Sequence, residues 1–166
     1  MNEQRINVLF LCTHNSARSI LAEAVLNHLG QGRFKAYSAG SSPRENQQPN
    51  PLGLQVLQPT GIATGGLRSK SWDEFAEPEA PHMDLVITVC DNAAGEVCPY
   101  WPGQPATAHW SYADPSAVQG SDEQRLEAFR QTLHAIRRRL ELLVNLPAGS
   151  VDKLMLQTRA RELAQS

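Results

Sequence analysis

The chain of 166 residues has few aromatic side chains, no large excess of either charge and no long hydrophobic run. Its formal net charge of -2 argues against nucleic acid or an anionic membrane surface as a partner. No apolar run approaches the roughly 20 residues that a membrane span needs. The N-terminal residues MNEQRINVLF lack the basic and apolar regions of a secretory signal. We therefore expect a cytoplasmic protein, and we expect the arginine run at 137–139 to lie on a solvated helix face.

Cysteine is also scarce, with three residues in the chain. A structural disulfide framework is not expected in a cytosolic protein, because thiols are kept reduced there. No Cys/His arrangement has zinc-finger spacing, and Cys90 and Cys98 are too far apart for a zinc knuckle. The sequence therefore predicts no metal site and no bound cofactor, and it leaves the three thiols available for chemistry.

Short apolar runs alternate along the chain with segments of helical periodicity. Strands are predicted over 6–11, 33–40, 83–90 and 107–112, and helices over 16–29, 51–58 and 122–146, the last with Ser121 as N-cap. This alternation predicts an α/β fold whose parallel sheet is covered by helices on both sides. We expect one domain over 1–146 and a C-terminal extension over 147–166. The extension is predicted to form a short helix that serves as a packing or dimerisation surface.

The first predicted strand runs directly into the polar segment CTHNSARS, residues 12–19. A loop that leads into a helix N-terminus presents unpaired N–H groups, which bind phosphate-like anions. Arg18 adds a planar fork that matches two anion oxygens. These groups also favour the thiolate of Cys12, so the pattern predicts a nucleophile facing a tetrahedral anion. The predicted anion-binding residues are Thr13, His14, Asn15, Ser16, Ala17, Arg18 and Ser19.

This segment resembles the C-x5-R-S phosphate-binding loop of the low-molecular-weight tyrosine phosphatase family. The resemblance extends over about residues 5–145, through YSAG at 37–40 and the Asp-Pro pair at 114–115. It implies a flavodoxin-like three-layer sandwich with a four-stranded parallel sheet. It also implies that Asp114 is the general acid that protonates the leaving group.

Two further thiols lie near the end of the third predicted strand, with Cys90 as its last residue and Cys98 in the segment that follows. A phosphatase needs one cysteine, so the added thiols favour thiol–disulfide chemistry. Together with His109-Trp110 and Asp114, they resemble the arsenate reductase branch of the family. That resemblance implies that Cys12 attacks arsenate, Cys90 then attacks Cys12, and Cys98 resolves the disulfide. It further implies thioredoxin as the reductant, or glutaredoxin with glutathione, with phosphate or sulfate as mimics of the substrate.

The sequence departs from family patterns at three points. Ser116 and Ala117 follow the Asp-Pro pair, where phosphatases acting on tyrosyl substrates usually carry aromatic residues. Lys70 aligns with an aspartate that holds a potassium ion in some relatives, so its ammonium is expected to replace that cation. The spacing from Cys90 to Cys98 is slightly longer than in some members, which leaves room for glutaredoxin in place of thioredoxin.

Two other functions stay open at this point. A phosphatase acting on phosphotyrosine or a small phosphate ester would use Cys12, Arg18 and Asp114 and give the other thiols no role. A non-enzymatic redox sensor would form its disulfide reversibly without turning over either anion. Both retain the same fold, so only activity separates them from the reductase.

Overall fold

The computed structural model describes residues 5–91, 106–146 and 153–165. The described residues contain four strands and four α-helices. The strands are β1 (Ile6–Cys12), β2 (Phe34–Gly40), β3 (Leu85–Thr88) and β4 (Ala106–His109), and the helices are α1 (Arg18–Leu29), α2 (Pro51–Leu57), α3 (Asp122–Val144) and α4 (Lys153–Leu163). Short 3₁₀ helices lie at Gln58–Thr60, Trp72–Phe75 and Pro115–Ala117.

The strands form one parallel sheet in the order β2-β1-β3-β4. The register places Cys12 opposite Gly40, and Leu11 opposite Thr88. All four strands therefore end at the same edge of the sheet. Ligands of open α/β sheets bind at this edge. The predicted α/β sandwich with four parallel strands is confirmed.

The sheet divides two hydrophobic cores. The larger core combines alternate residues of β1, β3 and β4 with the helices, including the fully buried Phe10, Phe129 and Trp110. The smaller core packs Leu9 and Leu11 on the opposite face, next to the 3₁₀ helix at Trp72–Phe75. Alternation of side chains along β1 explains this division, because successive residues point to opposite faces.

The helix boundaries follow local signals. Gly30 ends α1, and its N–H donates to the Leu26 carbonyl. Ser121 caps α3 in a capping box with Gln124, as the sequence predicts. The buried stripe of α3 consists of Phe129, Leu133, Ile136, Leu140 and Leu143. No helix among the described ranges has the length and apolar character needed to cross a membrane. The cytoplasmic location stays a prediction.

Three element boundaries differ from the sequence prediction. Helix α1 begins at Arg18 and not at Ser16, because Ser16 and Ala17 belong to the loop around Cys12. Strand β3 covers 85–88 of the predicted 83–90, and β4 covers 106–109 where 107–112 is predicted. In both strands the pairing ends at the register partners Thr88 and His109.

Candidate active site

The loop at 12–17 encloses the thiol of Cys12, which is buried at the end of β1. The Cys12 Sγ lies 2.9 Å from the Ser19 Oγ, and it accepts a hydrogen bond from the Asn15 N–H at 3.2 Å. The sulfur is thus held at one position at the mouth of the loop.

Helix α1 begins immediately after this loop with Ala17 as its N-cap. The methyl side chain of Ala17 cannot accept a hydrogen bond, so it leaves the N–H groups of the first helical turn uncapped. Ala17 and Arg18 line the same cleft as Cys12. A tetrahedral anion suits this position because the helix dipole adds to the N–H donors.

Asn15 holds the loop from the inside. It is fully buried with φ of 56°, a left-handed conformation that asparagine tolerates better than most residues. Its side-chain amide donates to the Ser19 Oγ at 2.8 Å and to the Ser38 Oγ at 3.0 Å. Its side-chain oxygen accepts from the Lys70 N–H at 2.9 Å. Asn15 therefore links the loop to α1, to β2 and to the segment before the 3₁₀ helix at Trp72–Phe75.

Gly40 ends β2 directly against the loop. A Cβ at this position would lie 2.6 Å from the Thr13 carbonyl oxygen and 2.9 Å from the His14 carbonyl carbon. The residues that follow bind the loop, because the N–H groups of Ser41 and Ser42 donate to the carbonyls of Cys12 and Thr13. The close approach of two backbones explains why the YSAG segment ends in glycine.

A carboxylate and an ammonium lie behind Asn15. The Ser38 hydroxyl donates to the Glu23 Oε1 at 2.5 Å, and the Lys70 Nζ lies 3.9 Å from the same oxygen. The Lys70 Nζ also donates to the carbonyls of Ser38 and Arg68. Burial raises the pKa of Glu23 above its ordinary value and lowers that of Lys70, although each charge partly offsets the shift of the other. An ammonium thus occupies the space beside Glu23 and Ser38.

Arg18 is almost fully buried as the first residue of α1. Its Nη1 donates to the Tyr112 carbonyl at 2.8 Å, and its Nη2 lies 3.8 Å from the Asp114 Oδ2. The guanidinium is therefore oriented by the loop after β4. This loop also brings the carboxyl of Asp114 to the same side of the site.

Asp114 is itself fixed at the start of the 3₁₀ helix Pro115–Ala117. Its Oδ1 accepts from the Ser116 N–H at 2.9 Å and from the Ser116 hydroxyl at 2.7 Å. Its Oδ2 lies on the side of Arg18. One oxygen is thus engaged in the local turn, and the other faces the anion site.

Cys12, Arg18 and Asp114 line one cleft of about 640 Å³. The lining includes four residues that the sequence analysis did not assign to the site, namely Arg44, Gln47, Asn50 and Ser116. Asn50 is the N-cap of α2, so a capping pattern in the sequence could have indicated its position. Arg44 and Gln47 lie in the irregular segment after β2, where no sequence pattern indicates their position. Among the described lining residues there is no Phe, Tyr or Trp.

The structure places the other predicted site residues as follows. Thr13, His14, Ser16 and Ala17 line the cleft, whereas Asn15 and Ser19 lie beneath it. The His14 ring makes a 3.0 Å hydrogen bond with the Ser42 carbonyl, so its side chain is engaged away from the thiol. Cys98 lies outside the described residues.

Cys90 follows β3, which is the strand next to β1. It is fully buried and disulfide-bonded, whereas Cys12 is a free thiol. The Val89 N–H donates to the Leu11 carbonyl at 2.9 Å, so the chain segments that carry Cys90 and Cys12 run side by side. The His109 Nδ1 lies 2.7 Å from the Thr88 Oγ1, a contact that joins β3 to β4.

Comparison with curated proteins finds two informative relatives. The chain is 33% identical over 134 residues to an arsenate reductase of Halalkalibacterium halodurans, covering 81% of this chain and 91% of the relative. It is 30% identical over 137 residues to a glutaredoxin arsenate reductase of Synechocystis, covering 82% of this chain and 95% of the relative.

Comparison with solved structures agrees. An arsenate reductase from Archaeoglobus fulgidus superposes with a TM-score of 0.68 and 27% identity, covering 84% of this chain and 99% of the other. A thioredoxin-dependent arsenate reductase from Corynebacterium glutamicum superposes with a TM-score of 0.55 and 25% identity, covering 86% of this chain and 65% of the other. The family model for the low molecular weight phosphotyrosine protein phosphatases matches residues 7–155. The chain therefore belongs to the low molecular weight phosphotyrosine protein phosphatase family.

Proposed function

We propose that this protein is an arsenate reductase that uses Cys12 as nucleophile and passes the resulting disulfide through Cys90 to Cys98. The observation that supports it most directly is the disulfide-bonded Cys90 just after β3, because β3 lies next to β1, the strand that ends at the free thiol of Cys12. A hydrolytic phosphatase has no use for this second sulfur. Relatives named arsenate reductase, matched over most of their length, support the same conclusion.

In the proposed first step, arsenate enters the loop at 12–19 and is held by backbone N–H groups and Arg18. The Cys12 thiolate attacks arsenic and displaces one oxygen, which leaves as water after Asp114 protonates it. The product is a covalent Cys12–arsenic(V) adduct. The contact between Arg18 and Asp114 supports these roles, since it holds donor and acid on the same side of the cleft.

In the second step, the Cys90 thiolate attacks the Cys12 sulfur. A sulfur–sulfur bond forms, the sulfur–arsenic bond breaks, and its electron pair remains on arsenic, which leaves as arsenite. Cys98 then attacks Cys90, which frees the Cys12 thiolate and leaves a Cys90–Cys98 disulfide. An external dithiol reduces that disulfide. We propose thioredoxin, with glutaredoxin and glutathione as the alternative, because relatives of both kinds exist.

The first experiment measures arsenate-dependent NADPH oxidation in two parallel assays. One contains thioredoxin with thioredoxin reductase, and the other contains glutaredoxin, glutathione and glutathione reductase. We expect turnover in the thioredoxin assay. Turnover in the glutaredoxin assay alone would identify glutaredoxin with glutathione as the reductant. No turnover in either assay would overturn the proposal. Hydrolysis of p-nitrophenyl phosphate would then indicate a phosphatase, and reversible disulfide formation without turnover of either anion would indicate a redox sensor.

We also propose that the Lys70 ammonium takes the place of a bound potassium ion. Replacing Lys70 by Met leaves the buried Glu23 carboxylate without its cation, so we expect the free energy of unfolding at neutral pH to fall by about 3 kcal/mol. The loss shrinks as the pH falls, because the raised pKa of Glu23 means that the folded state takes up its proton first and becomes neutral.

Chemical denaturation with and without potassium measures this effect. Potassium is expected to restore part of the stability of K70M and to leave the wild type unchanged. K35M is the matched control, since Lys35 forms no ion pair with Glu23 among the contacts described and its charge lowers the pKa of that carboxyl less than the Lys70 charge does. Equal stability of K70M and K35M at neutral pH would contradict the role of Lys70.

A further inference from the structure

The C-terminal helix α4 lies over the edge strand of the sheet. The Thr107 N–H donates to the Gln157 Oε1 at 3.1 Å, and the Thr107 carbonyl accepts from the Arg161 Nε at 3.0 Å. Side chains of α4 thus satisfy backbone groups on the outer side of β4, which an edge strand otherwise exposes. Leu156 and Ala160 are buried in the larger core. Helix α4 is therefore docked on the domain through both polar and apolar contacts.

The C-terminal end of α4 is bound by residues that also belong to the core beside the active site. The last carbonyls of a helix have no intrahelical partner and need donors from elsewhere. The Trp110 Nε1 donates to the Ala160 carbonyl at 2.9 Å, and the Arg139 Nη2 donates to the Ala164 carbonyl at 3.1 Å. A guanidinium at this end also interacts favourably with the helix dipole.

Arg139 connects this helix end to the loop that holds the catalytic arginine. Its guanidinium lies 5.0 Å from the centre of the Tyr112 ring and 6.0 Å from that of Trp110. Such cation–ring contacts are stronger when the ring is buried, as both are here. The Tyr112 carbonyl in turn accepts the hydrogen bond from Arg18. The expectation that the arginine run at 137–139 lies wholly on a solvated face is therefore wrong for Arg139.

We infer that Arg139 is a positioning residue which, with the docked end of α4, fixes Tyr112 and thereby sets the orientation of the Arg18 guanidinium and the adjacent Asp114. Arg139 is not among the described residues that line the cleft. Its effect passes through one backbone carbonyl, because a shift of Tyr112 moves the acceptor that aligns Arg18. The inference rests on the proposed function only in assigning Arg18 to a tetrahedral anion.

The test measures the dissociation constant for inorganic phosphate by calorimetry in the full-length protein. We expect R139M to bind phosphate about tenfold more weakly, since small misplacements of a positioning group have large effects. R139K is expected to recover part of the affinity, because an ammonium can still lie over the rings and donate to the Ala164 carbonyl. R138M is the matched control, as Arg138 is exposed on the same helix, and it should bind as the wild type does.

A second variant tests the docking of α4 without altering Arg139, Trp110 or Tyr112. R161M removes the bond to the Thr107 carbonyl and is expected to weaken phosphate binding about threefold. Wild-type affinity in R139M and R161M, with both folded by circular dichroism, would overturn the inference. Absence of phosphate binding in the wild type would instead overturn the proposed function, and this inference with it.

Discussion

Replacing Cys12 by Ser is expected to reduce arsenate turnover by about 10⁴-fold or more, because the hydroxyl is a far weaker nucleophile than the thiolate. The substitution changes one atom of a buried side chain whose neighbours, Ser19 and Asn15, can bond to oxygen as they do to sulfur. We therefore expect the loop to keep its shape. The measurement is steady-state arsenate reduction in the thioredoxin-coupled assay.

Phosphate binding provides the control for C12S. The anion is held by backbone N–H groups and by Arg18, not by the sulfur, so the dissociation constant should stay within about threefold of the wild-type value. Turnover above one tenth of the wild-type rate would contradict the role of Cys12. Loss of both binding and turnover would show that the substitution had disrupted the loop. A lowered melting temperature would accompany such a disruption.

Replacing Cys90 by Ser is expected to abolish arsenate turnover while hydrolysis of p-nitrophenyl phosphate is kept. The two reactions share Cys12, Arg18 and the cleft, but only reduction needs a second sulfur to displace arsenic from Cys12. We expect the rate of arsenite formation to fall by about 10³-fold or more. Equal loss of both activities would show that Cys90 supports the structure of the sheet edge and not the relay.

The stoichiometry of arsenite separates the second thiol from the third. In C98S, Cys90 can still attack Cys12 once, so a single burst of about one arsenite per chain is expected before the protein stalls with Cys12 in a disulfide. In C90S no burst is expected, because the adduct on Cys12 is not resolved. Sustained turnover in C98S would contradict the proposed order of the cysteines.

The local parts of this site could be predicted from the sequence. An apolar run, a polar loop and a helical repeat are contiguous at 6–29, so strand, anion loop and helix follow from short-range patterns. The placement of Cys12 and Cys90 at one edge of the sheet also follows, since parallel strands present their carboxyl ends at the same edge. Resemblance to a known family then indicated the role of Asp114.

The remaining contacts depend on residues that are far apart in the chain. Lys70 binds the side chain of Asn15 across 55 positions, and Arg18 donates to Tyr112 across 94. No periodicity relates such pairs, because their meeting depends on how the helices pack against the completed sheet. The same holds for Arg139. Its place in a charged run predicts solvent exposure, but in the folded protein its guanidinium lies over the rings of Trp110 and Tyr112.

Neighbouring residues and backbone geometry specify the order of strands and helices and the loop after β1, so the sequence predicts these features, with Cys12 as the proposed nucleophile. The contacts that hold that loop and Arg18 in place depend on tertiary packing. The Glu23–Lys70 pair, the close approach of Gly40 and the contact of α4 with Arg139 arise from packing between distant segments. Packing of this kind is fixed by shape and burial across the whole domain, and no local pattern encodes it.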